Sequence, residues 1–143
     1  MRPQLPALLL VAIMLPATGD TLARVPDQSS DASGKVQVVE VTAKKYDFTP
    51  SSIRVKQGTK VELKITATDR SHGFKIQEFP EGENKAASPG LVFSSPQDCL
   101  KIEANQTQTI EFVAQTPGTY AFRCCVHCGW HHGSMKGELI VER

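Results

Sequence analysis

From residue 36 onward, apolar and polar residues follow the alternating pattern of short, half-buried β-strands. In the clearest example, Val61, Leu63 and Ile65 alternate with polar side chains, and this period of two, with two of the three residues β-branched, favours a strand. Similar patterns predict strands at residues 36–41, 53–55, 61–65, 74–79, 100–103, 107–114, 119–124 and 137–142. Because no amphipathic helix is evident, these seven to eight strands predict an all-β protein that is an antiparallel sandwich or barrel. Of these, a Greek-key sandwich is the fold that we expect.

One segment, residues 80–97, interrupts the alternation. It contains Gly82, Pro89, Gly90 and Pro96, with charged residues among them. This composition predicts a long surface loop. In a compact domain such a loop is either functional or a tolerated insertion.

The first residues have the form of a secretory signal peptide. Arg2 precedes an apolar run over residues 5–15, and Thr21 and Ala23 supply small residues at a cleavage position. The run is shorter than the ~20 residues that a membrane-spanning helix needs. A cleaved signal peptide is therefore favoured over an uncleaved membrane anchor.

These features divide the chain into three predicted regions. Residues 1–23 are the signal peptide, residues 24–35 a flexible N-terminus, and residues 36–143 the folded domain. Polar and small residues dominate the second region, which is typical of a disordered end. The mature protein is expected to be periplasmic or secreted and to have no membrane span.

Composition and charge narrow the function. The chain of 143 residues carries 16 basic and 15 acidic side chains, for a net charge of +1, and neither end has a charged block. Nucleic acid is therefore not an expected partner. No serine–histidine–acid set, pair of carboxylates or phosphate-binding loop is evident, so the protein is not expected to be an enzyme.

Cysteine and histidine are concentrated in one short window. Three of the four cysteines and three of the four histidines lie between residues 124 and 132, and only Cys99 and His72 lie elsewhere. Thiolates with imidazoles suit copper or zinc, and the nearby thioether of Met135 favours copper. A zinc site would use two separated ligand pairs, and a disulfide knot would leave the histidines idle. The window therefore predicts a copper site.

The stretch PGTYAFRCCVHCGWHHGSMKGELIVE, residues 117–142, resembles the end of a cupredoxin, with a metal loop between two strands. The spacing of Cys124, Cys128, His132 and Met135 is similar to the dinuclear copper A loop. That loop occurs in cytochrome c oxidase subunit II and in nitrous oxide reductase. The resemblance implies a cupredoxin sandwich that transfers electrons.

Further upstream, residues 48–76 resemble the first half of the soluble oxidase domain, and His72 stands where that family places its first histidine ligand. The resemblance implies that two thiolates bridge two copper ions, that two histidines cap them, and that a thioether and a backbone carbonyl complete the set. The implied ligands are Cys124, Cys128, His72, His132, Met135 and Val126. The implied partner is a redox protein such as a c-type cytochrome or an oxidase.

The chain departs from the oxidase pattern in several places. Cys125 and His127 stand where the oxidase family usually has neither residue. A mononuclear blue copper site made of Cys124, His127 and His72 is the alternative, with Cys128 spare. The loop is longer than plastocyanin-like loops, which favours two copper ions over one. Cys125 is either paired with Cys99 in a disulfide or a free thiol, and the sequence does not decide between these states.

Two other functions stay open. The surplus Cys125, His127 and His131 would suit a copper chaperone that delivers metal to a copper-acceptor protein. A structural or sensing cupredoxin is the third possibility. Asp69, three residues before His72, is either an ordinary turn residue or one that orients the histidine turn.

Overall fold

A computed structural model describes residues 35–83 and 88–143. The predicted signal peptide, residues 1–23, lies outside the described residues. So does nearly all of the predicted flexible segment 24–35, of which only Lys35 is described.

Ten β-strands form two sheets of five strands each. In chain order they are β1 (Gln37–Lys44), β2 (Asp47–Thr49), β3 (Ser52–Lys56), β4 (Lys60–Ala67), β5 (His72–Ile76), β6 (Leu91–Phe93), β7 (Leu100–Ile102), β8 (Thr107–Ala114), β9 (Gly118–Arg123) and β10 (Lys136–Glu142). The first sheet has the order β2-β1-β4-β8-β6, and the second has the order β3-β10-β9-β5-β7. Most connections cross from one sheet to the other, as in a Greek-key sandwich.

Two of the strand pairs are parallel and the others are antiparallel. In the first sheet β1 runs parallel to β4, with Val39 opposite Leu63. In the second sheet β3 runs parallel to β10, with Val55 opposite Val141. Both parallel pairs join strands that are not consecutive in the chain, because parallel neighbours need a crossover connection.

The core lies between the inner faces of the two sheets. Val61, Leu63 and Ile65 of β4 are all fully buried, as their alternation predicts. The rings of Phe48, Phe74 and Phe122 pack together with centres 5.1–5.5 Å apart. Because Phe48 belongs to the first sheet and the other two to the second, this aromatic cluster fixes the sheets to each other.

The predicted all-β cupredoxin sandwich is confirmed, with two strands more than the sequence pattern predicts. Each of the eight predicted ranges contains a strand, and the additional strands are β2 and β6. The prediction of a surface loop over residues 80–97 was wrong for β6, where Leu91 is buried and Val92 pairs with Val113. A strand of three residues is too short to show alternation, so its pairing depends on tertiary contacts.

Helical structure is slight in the described part of the chain. A single 3₁₀ turn, His132–Ser134, lies between β9 and β10. Within residues 35–83 and 88–143, no helix has the length and apolar character needed to cross a bilayer.

Candidate metal centre

Two of the aromatic residues, Phe74 and Phe122, lie on the same strand faces as residues of the candidate site. Side chains two positions apart in a strand share a face. His72 therefore lies on the same inner face as Phe74, and Cys124 continues the inner row of Phe122 beyond the end of β9. Both residues are buried in consequence, with exposed fractions of 0% and 2%.

His72 has one ring nitrogen bonded and one free. Its Nε2 lies 2.7 Å from Oδ1 of Asp69, whereas Nδ1 is buried and has no hydrogen-bond partner among the described residues. A carboxylate can only accept a hydrogen bond, so Nε2 carries the hydrogen and Nδ1 keeps its lone pair. A buried polar atom without a partner costs about 1–3 kcal/mol, so this nitrogen has the free lone pair that a metal ligand needs.

Asp69 stays ionised because of its hydrogen bonds. Burial raises the pKa of its carboxyl, but hydrogen bonds from His72 and from the backbone amides of Lys45 and Arg70 outweigh burial. The net result is a pKa below the ordinary value for aspartate. Of the two roles open for Asp69, the structure therefore assigns it the one that orients the histidine.

Replacing Asp69 by alanine should lower the affinity for copper about 10–100-fold, the usual cost of losing the carboxylate that orients a ligand histidine. Asp98 supplies a matched control, because its side chain is 92% exposed and pairs with Lys75 on the surface, away from His72. Competition titration against a copper chelator measures both affinities. Equal affinities in Asp69→Ala and Asp98→Ala would show that the contact with His72 is incidental.

The loop between β9 and β10 supplies the other candidate ligands. Its two ends are held together, because the Cys124 amide donates to the Met135 carbonyl at 3.0 Å and Arg123 lies opposite Lys136. Everything between Cys124 and Met135 therefore forms one closed excursion at the end of the sandwich. The 3₁₀ turn inside it directs His132 back towards the core side of the loop.

Sulfur and nitrogen atoms converge inside this loop. The Sγ atoms of Cys124 and Cys128 are 3.6 Å apart. Around the Cys128 sulfur, His132 Nδ1 lies at 3.6 Å and Met135 Sδ at 3.9 Å. The Val126 carbonyl oxygen lies 3.3 Å from the Cys124 sulfur.

His72 joins the two cysteines from the other side. Ligand atoms of His72, Cys124 and Cys128 all lie within 4.8 Å of one another. The predicted placement of His72 beside the loop is thereby confirmed, and all six residues named from the sequence converge on one place. Their donor set of two thiols, two imidazoles, a thioether and a carbonyl fits copper. That they bind copper stays a prediction.

The thiols of Cys124 and Cys128 lie in buried surroundings, which affect their protonation. Burial and the neighbouring Cys124 thiol raise the pKa of Cys128 above the ordinary value for cysteine. Both cysteines are free in the structure. Since thiolates are the metal ligands, copper binding must release thiol protons from this site.

Two groups that the sequence analysis missed hold the loop in place. The Gly73 amide donates to the Cys124 sulfur at 3.3 Å, and Arg70 Nη1 donates to the Cys128 carbonyl at 3.0 Å. A side chain at Gly73 has no room, because its Cβ would lie 2.7 Å from the Cys125 sulfur. A glycine directly after a ligand histidine was the one available signal for this close approach.

A disulfide joins Cys99 to Cys125, which decides the alternative that the sequence left open. Cys125 follows Cys124 directly, and adjacent residues in an extended chain face opposite sides. Its sulfur therefore turns away from the candidate site. The bond links the metal loop to the residue before β7, and β7 pairs with β5 through Ile102 opposite His72. Both ligand-bearing segments are thereby tied together.

Replacing Cys99 and Cys125 together by serine should leave copper stoichiometry and the main spectral bands unchanged. The same change should lower the free energy of unfolding by about 3.5 kcal/mol, the chain-entropy value for a bridge across 26 positions. Copper analysis, absorption spectra and denaturant unfolding measure these quantities. Loss of the spectrum in a variant that still folds would place Cys125 among the ligands.

The two remaining histidines of the loop lie on its surface. The exposed His127 has its ring centre 5.9 Å from that of His132. His131 is also exposed, and its ring packs edge-on against Tyr46 at 5.2 Å. Neither histidine belongs to the buried group of His72 and the two cysteines. His127 is the residue that the mononuclear alternative requires as a ligand, and in the structure its side chain is exposed.

Comparison with known proteins identifies the family. The model of the cupredoxin-like domain matches residues 7–141. Because this match covers most of the chain, the protein belongs to the cupredoxin-like family. The fold and the buried cysteine and histidine group described above agree with that membership.

Curated relatives include proteins of two kinds. Cytochrome c oxidase subunit 2 of Thermus thermophilus is 28% identical over 118 residues, which make up 82% of this chain and 75% of that protein. Nitrous-oxide reductase of Stutzerimonas stutzeri is 31% identical over 108 residues, which make up 73% of this chain but only 14% of that enzyme. The chain therefore corresponds to a small part of the reductase.

Solved structures show the same fold. Auracyanin A, a blue copper protein from Chloroflexus aurantiacus, superposes with a TM-score of 0.56 at 17% identity. The superposition covers 75% of this chain and 99% of auracyanin A. At this low identity the similarity establishes the sandwich architecture alone.

Proposed function

We propose that the protein is an electron carrier that exchanges one electron at a time through a dinuclear copper centre of the copper A type. The observation that carries the proposal is the pair of buried sulfurs of Cys124 and Cys128, which lie 3.6 Å apart and within 4.8 Å of a ring nitrogen of His72. The proposal rests on this geometry and on the similarity to cytochrome c oxidase subunit 2.

Ligand counting supports two ions over one. Bonds between a thiolate and a metal are ~2.3 Å long, so two sulfurs 3.6 Å apart can both bond the same ion and also share a second one. The site offers six donors, which are more than one tetrahedral ion uses. If the two thiolates are shared, each of two ions receives four ligands: both sulfurs and two of the other four donors.

The chain's own residues prepare the site for fast electron exchange. Copper bound there would supply a one-electron couple. The disulfide, the Gly73 amide and the Arg70 side chain hold the loop against β5, so that the ligands keep their positions when charge changes. Burial of Met135 and both cysteines excludes water. His132 is half-buried and connects the site to the surface.

The proposed partners and location follow from this role. The protein would exchange electrons with a redox protein such as a c-type cytochrome or an oxidase, in the periplasm or outside the cell. It would act without a membrane span in its mature form and without an enzymatic activity of its own. A copper chaperone acting on a copper-acceptor protein is the alternative within the same family.

Spectroscopy of the copper-loaded protein tests the proposal. We expect two copper ions per chain and an electron paramagnetic resonance spectrum in which one unpaired electron is shared equally by both. The oxidised and reduced forms should interconvert by one electron. One copper per chain with a blue thiolate band would contradict the dinuclear site, and a colourless copper(I) form that passes metal to an acceptor would favour the chaperone.

A further inference from the structure

The buried centre is closed on nearly every side. Four of its five ligand side chains, namely His72, Cys124, Cys128 and Met135, have exposed fractions between 0% and 4%. His132 is the exception, because it is half-buried. His132 is therefore the ligand side chain of the centre that an ion outside the folded protein can reach directly, and the residues around it are the place to look for a route of entry.

His127 stands beside this entrance. It is exposed, and its ring centre lies 5.9 Å from that of His132 with an angle of 46° between the ring planes. No hydrogen bond engages its ring within the described part of the chain, so the ring nitrogens are available. His132 presents Nδ1 to the Cys128 sulfur. Its Nε2 is therefore the nitrogen left for an ion outside.

The separation of the two rings fits a shared ion. Bonds between a metal and an imidazole nitrogen are ~2 Å long, which places a ring centre ~3.2 Å from the ion. Two rings on one ion then have centres ~5.2 Å apart for a tetrahedral angle and ~6.4 Å apart for a linear one. The observed 5.9 Å lies between these limits.

We propose that His127 and His132 form an outer copper-capture site, from which copper passes to the buried sulfurs. The inference rests on the proposed copper centre and adds the route by which that centre is filled. The transfer is a ligand exchange without change of oxidation state. The bonds from copper to the His127 nitrogen and to His132 Nε2 break, bonds to the Cys128 sulfur and to His132 Nδ1 form, and the thiol proton leaves to water.

The direction of transfer follows from ligand type. Two neutral imidazoles bind copper reversibly. Two thiolates with two imidazoles and a thioether offer softer donors and more of them, and therefore bind copper more tightly. His132 belongs to both sets, through Nε2 on the outside and Nδ1 on the inside, so the two sites are separated only by its ring. Its Nδ1 lies 3.6 Å from the Cys128 sulfur that receives the ion.

His131 provides a matched control. It is also exposed and directly precedes His132, but its ring packs on Tyr46, 5.2 Å away between ring centres. Replacing either His127 or His131 by glutamine removes one exposed imidazole from the same loop. Only the first change removes a ligand of the proposed capture site.

The first test measures the rate at which copper-free protein forms the thiolate–copper absorption band after mixing with copper at limiting concentration. His127→Gln should slow loading at least about tenfold, since losing a ligand lowers occupancy of the capture site by at least the 10–100-fold typical of a lost supporting contact. His131→Gln should load like the unaltered protein. The final spectrum and copper stoichiometry should be the same in all three proteins.

A second test observes the capture site without the buried centre. A full-length chain with Cys124→Ser and Cys128→Ser, checked for folding by circular dichroism, is titrated with copper(II) alone. It should bind one ion, with nitrogen hyperfine structure and no thiolate band, and His127→Gln in that background should abolish the binding.

The outcomes separate this inference from the proposed function. If the unaltered protein forms no thiolate band but the chain with Cys124→Ser and Cys128→Ser binds copper through His127, the electron-carrier proposal fails and the capture site stands. If His127→Gln loads at the unaltered rate, the capture site is wrong even where the dinuclear centre forms. If the doubly substituted chain does not fold, the loading rates decide alone.

Discussion

Replacing Cys128 by serine should abolish the mixed-valence copper signal while the protein stays folded. A bridging thiolate bonds both ions and carries the shared electron, so its loss removes the connection between them. Serine is close to cysteine in size, and the buried site should therefore keep its shape. Electron paramagnetic resonance measures the mixed-valence signal, copper analysis the number of bound ions, and circular dichroism the folded state.

Met135→Leu is the matched control, because Met135 is as deeply buried and lies 3.9 Å from the same sulfur. A thioether is a weak axial ligand, so its removal should preserve both copper ions and shift the reduction potential. The opposite pattern would be decisive. If the protein saturates at one copper and Cys128→Ser keeps a blue colour, the site is mononuclear and built on Cys124, His127 and His72.

Replacing Gly73 by alanine should damage stability and copper binding together. The added Cβ would lie 2.7 Å from both the Cys125 sulfur and the Val126 amide nitrogen. Both contacts are too short to persist, and the disulfide prevents the loop from moving away freely. Overpacking of this kind costs about 1–3 kcal/mol. It would also push His72 away from the two cysteines, and the proposed copper centre needs ligands from all three residues.

Gly133→Ala supplies the comparison within the same loop, since a Cβ at Gly133 meets nothing within 4 Å. It should match the unaltered protein in urea unfolding and in copper binding by equilibrium dialysis. Gly73→Ala should show a lower unfolding midpoint and weaker copper binding. Identical behaviour of the two variants would mean that β5 and the metal loop are not in tight contact.

Sheet formation was predictable where one face of a strand is buried along several residues. The alternation in β4 shows directly which side chains face the core, and the structure buries all of them. Strands β2 and β6 have three residues each, which is too short for an alternation to be recognised in the sequence. Their residues become strands because longer neighbours offer backbone partners, a property of the assembled sheet rather than of the local sequence.

The candidate ligands that lie close together in the sequence could be predicted from their spacing, whereas the distant parts of the site could not. Cys124, Cys128, His132 and Met135 lie on one loop, and their spacing alone predicts a metal site. His72 lies far away in sequence, and its assignment depended on the resemblance to the oxidase domain. The contact of Arg70 with the loop was missed because a surface arginine after an aspartate has no distinguishing pattern.

The disulfide was undecided for a related reason. Cys99 and Cys125 are brought together by the pairing of β7 with β5 and by the path of the loop. Sequence gives the number of cysteines and their separation but not the distance between their Cβ atoms. Only the assembled sheet shows that the two lie within bonding reach.

The parallel pairing of β3 with β10 sets the order in which the protein can be assembled. Ser52 lies opposite Glu138 in that pair, 86 positions apart in the chain. Contacts between such distant segments form slowly, on the order of milliseconds to seconds, because a long loop must close first. The loop that holds the cysteines is closed by the same final strand. The full set of candidate ligands therefore comes together only when β10 has paired, so a change that weakens the contact between β3 and β10 should also weaken the metal site.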